Sequence, residues 1–106
     1  MKIEIDTKSY TSQQEILTGE MIARIAELLE EGGIEGERLK ELTGKIAFAV
    51  TCMIDDVSEV SFDGETAHPY LTFLAEDYET LIHLGGNSYS HEIVYPILNA
   101  MFRADT

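Results

Sequence analysis

Leu39 to Val57 constrains this chain more than any other stretch. Leu39, Leu42, Ile46, Val50, Met53 and Val57 follow one another at steps of three and four residues. That spacing keeps them on one face of a helix. Ala47, Ala49 and Ile54 widen the stripe, as in a helix central to a core. A strand period competes over part of the stretch. Ile46, Phe48, Val50, Cys52 and Ile54 alternate with Ala47, Ala49, Thr51 and Met53, and Gly44 could end a short helix before them. The continuous helix over 36–55 is the expectation, because the apolar register of Leu39 and Leu42 passes through Gly44 unbroken. One interior glycine costs only about 1 kcal/mol.

A helix on the N-terminal side is marked by Ser12 and Glu15, a capping-box pair, and runs to Glu31. Ile16, Leu17, Met21, Ile25, Leu28 and Leu29 form its apolar stripe. Gly32 and Gly33 follow and supply a left-handed residue for its end. Ahead of it Ile3 and Ile5 alternate with Lys2, Glu4 and Asp6, a short edge-strand pattern, and 8–11 read as a connection. Glu41 and Lys45 stand at i, i+4 for an ion pair on the central helix. Asp55 and Asp56 oppose the dipole at that helix's end, so the chain should turn there.

After Asp56 the period changes to alternation. Strands are expected over 57–62, with Val60 and Phe62 inward, over 70–75 and over 80–84. Asp63-Gly64 is a turn pair, 65–68 a linker and 76–79 an acidic turn. A last helix spans about Ser88 to Arg103, with Pro96 predicting a kink or break near Tyr95. The fold class is therefore α+β. It comprises an antiparallel three-stranded meander, with a further N-terminal edge strand, covered by two N-terminal helices and one C-terminal helix. With 106 residues the chain is expected to form one domain.

Charge narrows the partners. Twenty acids face seven Lys and Arg, for a formal net charge of −13. Residues 51–106 hold ten of those acids and a single base, Arg103. Such a field repels nucleic acid and anionic membrane and attracts basic surfaces. No window reaches the roughly 20 apolar residues of a membrane span. Cys52 is the one cysteine, so no internal disulfide is available, and a cytoplasmic setting is expected.

Asp55, Asp56, Glu59, Asp63, Glu65, Glu76, Asp77 and Glu79 are the candidate contacts for a basic protein partner. A calcium loop counted from Asp55 fails, because Val60 and Thr66 stand where glycine and glutamate are needed. Zinc would need Cys52, His68, His83 and His91 to converge. As a nucleophile Cys52 would need a neighbouring base, and its apolar surroundings point instead to packing. The remaining candidate is the polar loop Gly85, Gly86, Asn87, Ser88, Tyr89 and Ser90, between a strand and a helix start. Its amides could hold an anion, with His91, Glu92 and His83 as the residues for any acid–base chemistry. It lacks the GxGxxG and Walker patterns, and no cofactor is implied. Tyr70, Tyr78, Tyr89 and Tyr95 could line a contact surface nearby. The sequence therefore predicts a small acidic interaction module that binds a basic protein surface, with a homodimer also expected from the full apolar coverage of its helices. The competing expectations are a metal- or anion-binding enzyme at residues 83–92, and a structural domain whose acids serve only solubility.

Overall fold

The structure, a computed structural model, describes residues 1–103. In chain order the elements are β1 (Lys2–Ile5), α1 (Thr7–Glu31), α2 (Gly36–Ile54), β2 (Val60–Phe62), β3 (Glu65–Ala67), β4 (Phe73–Leu74), β5 (Thr80–His83) and α3 (Ser90–Arg103). The α+β class, the three helices and the N-terminal edge strand are all present. No helix among the described residues is long and apolar enough to cross a membrane.

Helix α2 is continuous from Gly36 to Ile54, so the strand alternative for 46–54 falls. Gly44 is kept within the helix by a close approach. A Cβ built there would lie 2.8 Å from Leu98 Cδ2 and 3.1 Å from Tyr95 Cε1, so α3 comes in where a side chain would stand. Around that approach Ile22, Ala47, Val94 and Leu98 are buried together, with Ile25, Ile97, Met101 and Phe102 against them. The three helices thus pack on one another around a single core.

Helix α1 starts earlier than Ser12. Asp6 is its N-cap, with a side-chain oxygen accepting from the Ser9 amide at 3.1 Å, and 8–11 are helical. The strand before it ends at Ile5, so a carboxylate directly after the strand takes the cap, and Ser12 and Glu15 lie inside the helix. Of the apolar stripe of α1, Leu17, Met21, Ile25 and Leu29 turn inward and Ile16 and Leu28 face solvent, while the fully buried residues are Tyr10, Gln14, Thr18 and Ile22. At the other end Gly33, at φ 91°, carries the left-handed turn, and the Ile34 amide donates back to the Leu29 carbonyl. Pro96 does not break α3. Pro96 and Glu92, whose carbonyl loses its helical donor, are both exposed, so water can replace the missing bond.

The strands do not form one meander. β2 and β3 pair antiparallel as a separate hairpin about Asp63 and Gly64, both at positive φ, so 65–67 are strand rather than linker. Phe62 points outward, 87% exposed, because this hairpin has no layer behind it. The three-stranded sheet has the order β1-β5-β4, with β4 antiparallel and β1 parallel to β5. One of its faces meets α1, with Thr80 and Ile82 buried and the Phe73 ring edge-on to Tyr10 at 5.1 Å. Residues paired across strands share a face, so Ile3, Ile5, Leu74, Leu81 and His83 line the other side. Among the helices α1 alone packs substantially on the sheet, from the first face, so this second face is without a helical cover.

Candidate functional site

The densest polar cluster forms where α2 ends and α3 begins. Asp55 closes α2 as its C-cap. A carboxylate there opposes the dipole of α2, but it also lies at the N-terminus of α3, where negative charge is favoured. Asp55 is 3% exposed. It accepts the Ser88 hydroxyl, the His91 amide at 2.7 Å and His91 Nδ1 at 2.6 Å. Burial alone would raise its pKa. The Ser88 hydroxyl, the His91 and Ser90 amides and the His91 ring outweigh that and hold the carboxyl below its ordinary value. An ionised carboxylate only accepts, so His91 donates from Nδ1. The imidazole also stands edge-on to Phe48 at 6.2 Å between centroids.

Two further side chains close the loop. Gln14 Oε1, reaching across from α1, accepts the Tyr89 amide at 2.7 Å and the Ser90 hydroxyl at 3.2 Å. Asn87 accepts the Leu71 amide at 3.1 Å and the Ser88 amide at 2.8 Å, and donates to the Pro69 carbonyl at 2.9 Å. Tyr10 donates its hydroxyl to the Leu71 carbonyl at 2.8 Å, and burial pushes that phenol above its ordinary value, keeping it a donor. The first amides of α3, the sequence's candidate anion site, are therefore already taken by Asp55 and Gln14. Ser88, Ser90 and Asn87 hold the chain together at this point, and Gly85 and Gly86 lie exposed beside it.

The other candidates separate in space. Asp55, counted by sequence among the acids of a partner surface, is buried and committed to Ser88 and His91, so it is no surface contact. Asp56 bonds His68 Nδ1 at 3.0 Å on the outside. Glu59, Asp63 and Glu65 are exposed on and beside the β2–β3 hairpin, and Glu76, Asp77 and Glu79 on the β4–β5 turn. Asp77 caps its own turn through the Glu79 and Thr80 amides at 2.8 and 3.0 Å, with the Thr80 hydroxyl at 2.9 Å. The Glu79 amide and the Thr80 hydroxyl hold the Asp77 carboxyl below its ordinary value. His83 takes the Gly85 amide at 3.3 Å on the uncovered sheet face. Cys52 is half-buried, and burial followed by the charge of Asp55 pushes its thiol up, against thiolate formation. Glu92 is exposed in the first turn of α3. Among the described residues no three His, Cys, Asp or Glu side chains gather as metal ligands would, so Cys52, His68, His83 and His91 do not converge. A wide groove of about 850 Å³ lies elsewhere, between Glu30, Glu35, Glu37, Leu39 and Phe102. None of the candidates lines it.

Asp55 orients His91 as an acid orients a catalytic base, but the Ser88 hydroxyl is bound to the carboxylate, not to the imidazole nitrogen opposite Nδ1. A serine nucleophile needs that nitrogen to take its proton, so the order of groups here is a cap rather than a triad. Gln14 is the residue that sequence reasoning missed. Its signal was its place between Tyr10 and Thr18 at steps of four, the line that is in fact buried. Comparison with family models, with characterised proteins and with solved structures finds no match for this chain.

The cap gives a pH dependence. Asp55 has a lower pKa folded than unfolded, so the unfolded chain binds its proton more readily. Its contribution to stability is complete above the unfolded value of about 3.9 and is lost as the pH falls through the lower folded value. Asp55→Asn should flatten that part of the acid limb while lowering stability at neutral pH. Urea midpoints measured from pH 2 to 7 on both proteins check this, and parallel profiles would contradict it.

Proposed function

We propose that this protein is a small acidic module of the cytoplasm that docks a basic protein surface, using the β2–β3 hairpin and its acids. The supporting observation is Phe62. It stands 87% exposed beside the hairpin turn, with Glu65 paired across from it and Glu59 and Asp63 exposed close by in the chain. An aromatic side chain kept in water among carboxylates suits a partner that offers an apolar pocket edged with Lys or Arg. The two strands of the hairpin pack chiefly on each other, so the helices are not what orders this surface. The acidic turn at Glu76, Asp77 and Glu79 extends the negative field and steers encounter.

The test uses a fluorescent Lys/Arg-rich peptide carrying one large apolar residue. Phe62→Ala with Glu59→Gln, Asp63→Asn and Glu65→Gln is compared with wild type. A control keeps Phe62 and carries the neutral changes Glu15→Gln, Glu27→Gln and Glu31→Gln, three exposed acids of α1. Salt-sensitive binding that survives in the control and is lost in the hairpin variant is the expected result. Equal losses in the two variants would reduce the acids to bulk charge, and with it to solubility.

A further inference from the structure

Strand β1 is bonded along one side only. Its Lys2 amide donates to the Glu79 carbonyl at 2.9 Å, and the Asp6 amide just beyond it donates to the His83 carbonyl at 3.2 Å. In a parallel pair the bonding residues alternate, so the even positions turn toward β5, and the amides and carbonyls of Ile3 and Ile5 turn away from it. The sheet order ends at β1, and nothing among the described residues pairs with that outer edge. Its side chains are bare as well. Ile3 is 71% exposed and Ile5 62%, with Met1 beside them at 81%. An open edge carrying apolar side chains is the arrangement that folded proteins usually blunt or cover.

We propose that β1 pairs antiparallel with β1 of a second copy of this chain, giving one continuous sheet across a two-fold axis at Ile3. The sequence of the strand carries this choice of occupant. With Ile3 opposite Ile3, the outward-facing residues of both strands meet as hydrogen-bonded pairs, and Met1 falls opposite Ile5. Lys2 then falls opposite Glu4 of the other copy, twice, at the closely spaced non-bonded positions where opposite charges help most. Shifting the register by two residues would set Glu4 against Glu4 and Lys2 against Asp6. The strand is thus its own complement in one register, as a two-fold interface requires. The bare face of Ile3, Ile5, Leu74 and Leu81 becomes continuous through the axis. The net charge of −13 on each copy opposes association at long range, but salt screens it, and at the axis itself the side chains that meet are isoleucines and the nearest acid, Glu4, meets a lysine.

Sedimentation at physiological ionic strength tests the register. Wild type should be a concentration-dependent dimer. Lys2→Glu sets two carboxylates against each other in both cross-strand pairs, and Glu4→Lys sets two ammonium groups against each other there. Each change alone should weaken dimerisation by at least about tenfold. An equimolar mixture of the two variants should dimerise again, as should the double swap Lys2→Glu with Glu4→Lys, whose net charge is that of wild type. Ile3→Pro removes only an outward amide, so it should keep the circular dichroism spectrum and lose the dimer. A monomeric wild type at several hundred micromolar overturns the proposal. So do single variants that dimerise like wild type, or a mixture that stays monomeric.

Discussion

Asp55→Ala should cost about 3 kcal/mol or more, because several hydrogen bonds to one buried carboxylate, each worth about 1.5–3 kcal/mol and not additive, are lost together. The carboxylate receives the Ser88 hydroxyl, the His91 amide and the His91 ring in one place, and it is 3% exposed. Its removal leaves those donors buried or half-buried without an acceptor, and it also removes the charge that complements the N-terminus of α3. A domain of this size has about 5–15 kcal/mol in all, so the variant should lie near its unfolding threshold. Urea denaturation followed by circular dichroism measures the loss. A midpoint within error of wild type would mean that water caps α3 as well as Asp55 does. Glu59→Gln, a change to an exposed acid beside the hairpin, should move the midpoint little.

The same residue shows where a sequence stops being informative. Asp55 and Asp56 are adjacent and chemically alike, yet one is buried under α3 and the other bonds an exposed histidine. Charge counting treats them as equal. What separates them is a contact made 36 residues away in the chain, at His91. The continuity of helix α2 through Gly44 was legible because helical spacing is local, but its buried line runs through Leu39, Thr43, Ala47 and Thr51, and Ile46, Met53 and Val57 of the apolar stripe are exposed. The Asp63-Gly64 turn was legible for the same reason, since the backbone conformation belongs to the two residues themselves. The pairing of β1 with β5 was not, because the two strands are joined through most of the chain and an isolated four-residue pattern does not name its neighbour.

Helix α1 shows a different limit. Its apolar stripe turns inward through Leu17, Met21, Ile25 and Leu29, which are half-buried, while Ile16 and Leu28 stay exposed. The most deeply buried residues of that face, Tyr10, Gln14, Thr18 and Ile22, include two polar ones that hydrophobicity does not mark. They are inside because α1 also meets the 69–71 segment and the loop before α3, where Tyr10 bonds the Leu71 carbonyl and Gln14 takes the Tyr89 amide. Sequence therefore located the polar loop before α3 and left its use open. The acceptors that fill it sit on α1 and α2, which only the fold brings near.

Tyr10→Ala should be as damaging as the loss of Asp55, by another route. Tyr10 is fully buried, packs edge-on against Phe73 and ties α1 to the Leu71 carbonyl. Truncating a buried aromatic side chain costs about 3–5 kcal/mol in transfer and cavity terms. Tyr10→Phe keeps the ring and strands only the Leu71 carbonyl, so about 1 kcal/mol is expected. The pattern of damage matters more than its size. The sheet meets the helical layer chiefly along α1, so the alanine variant should loosen β4 and β5 before the helical core. Amide hydrogen exchange reads this directly. Protection at Leu81 and Ile82 should fall towards that of a frayed strand, while Ala47 and Val94 keep protection close to the global stability of the variant. Uniform loss across both groups would mean that sheet and helices unfold as one unit, and that Tyr10 is simply a large core residue rather than the bolt between two layers.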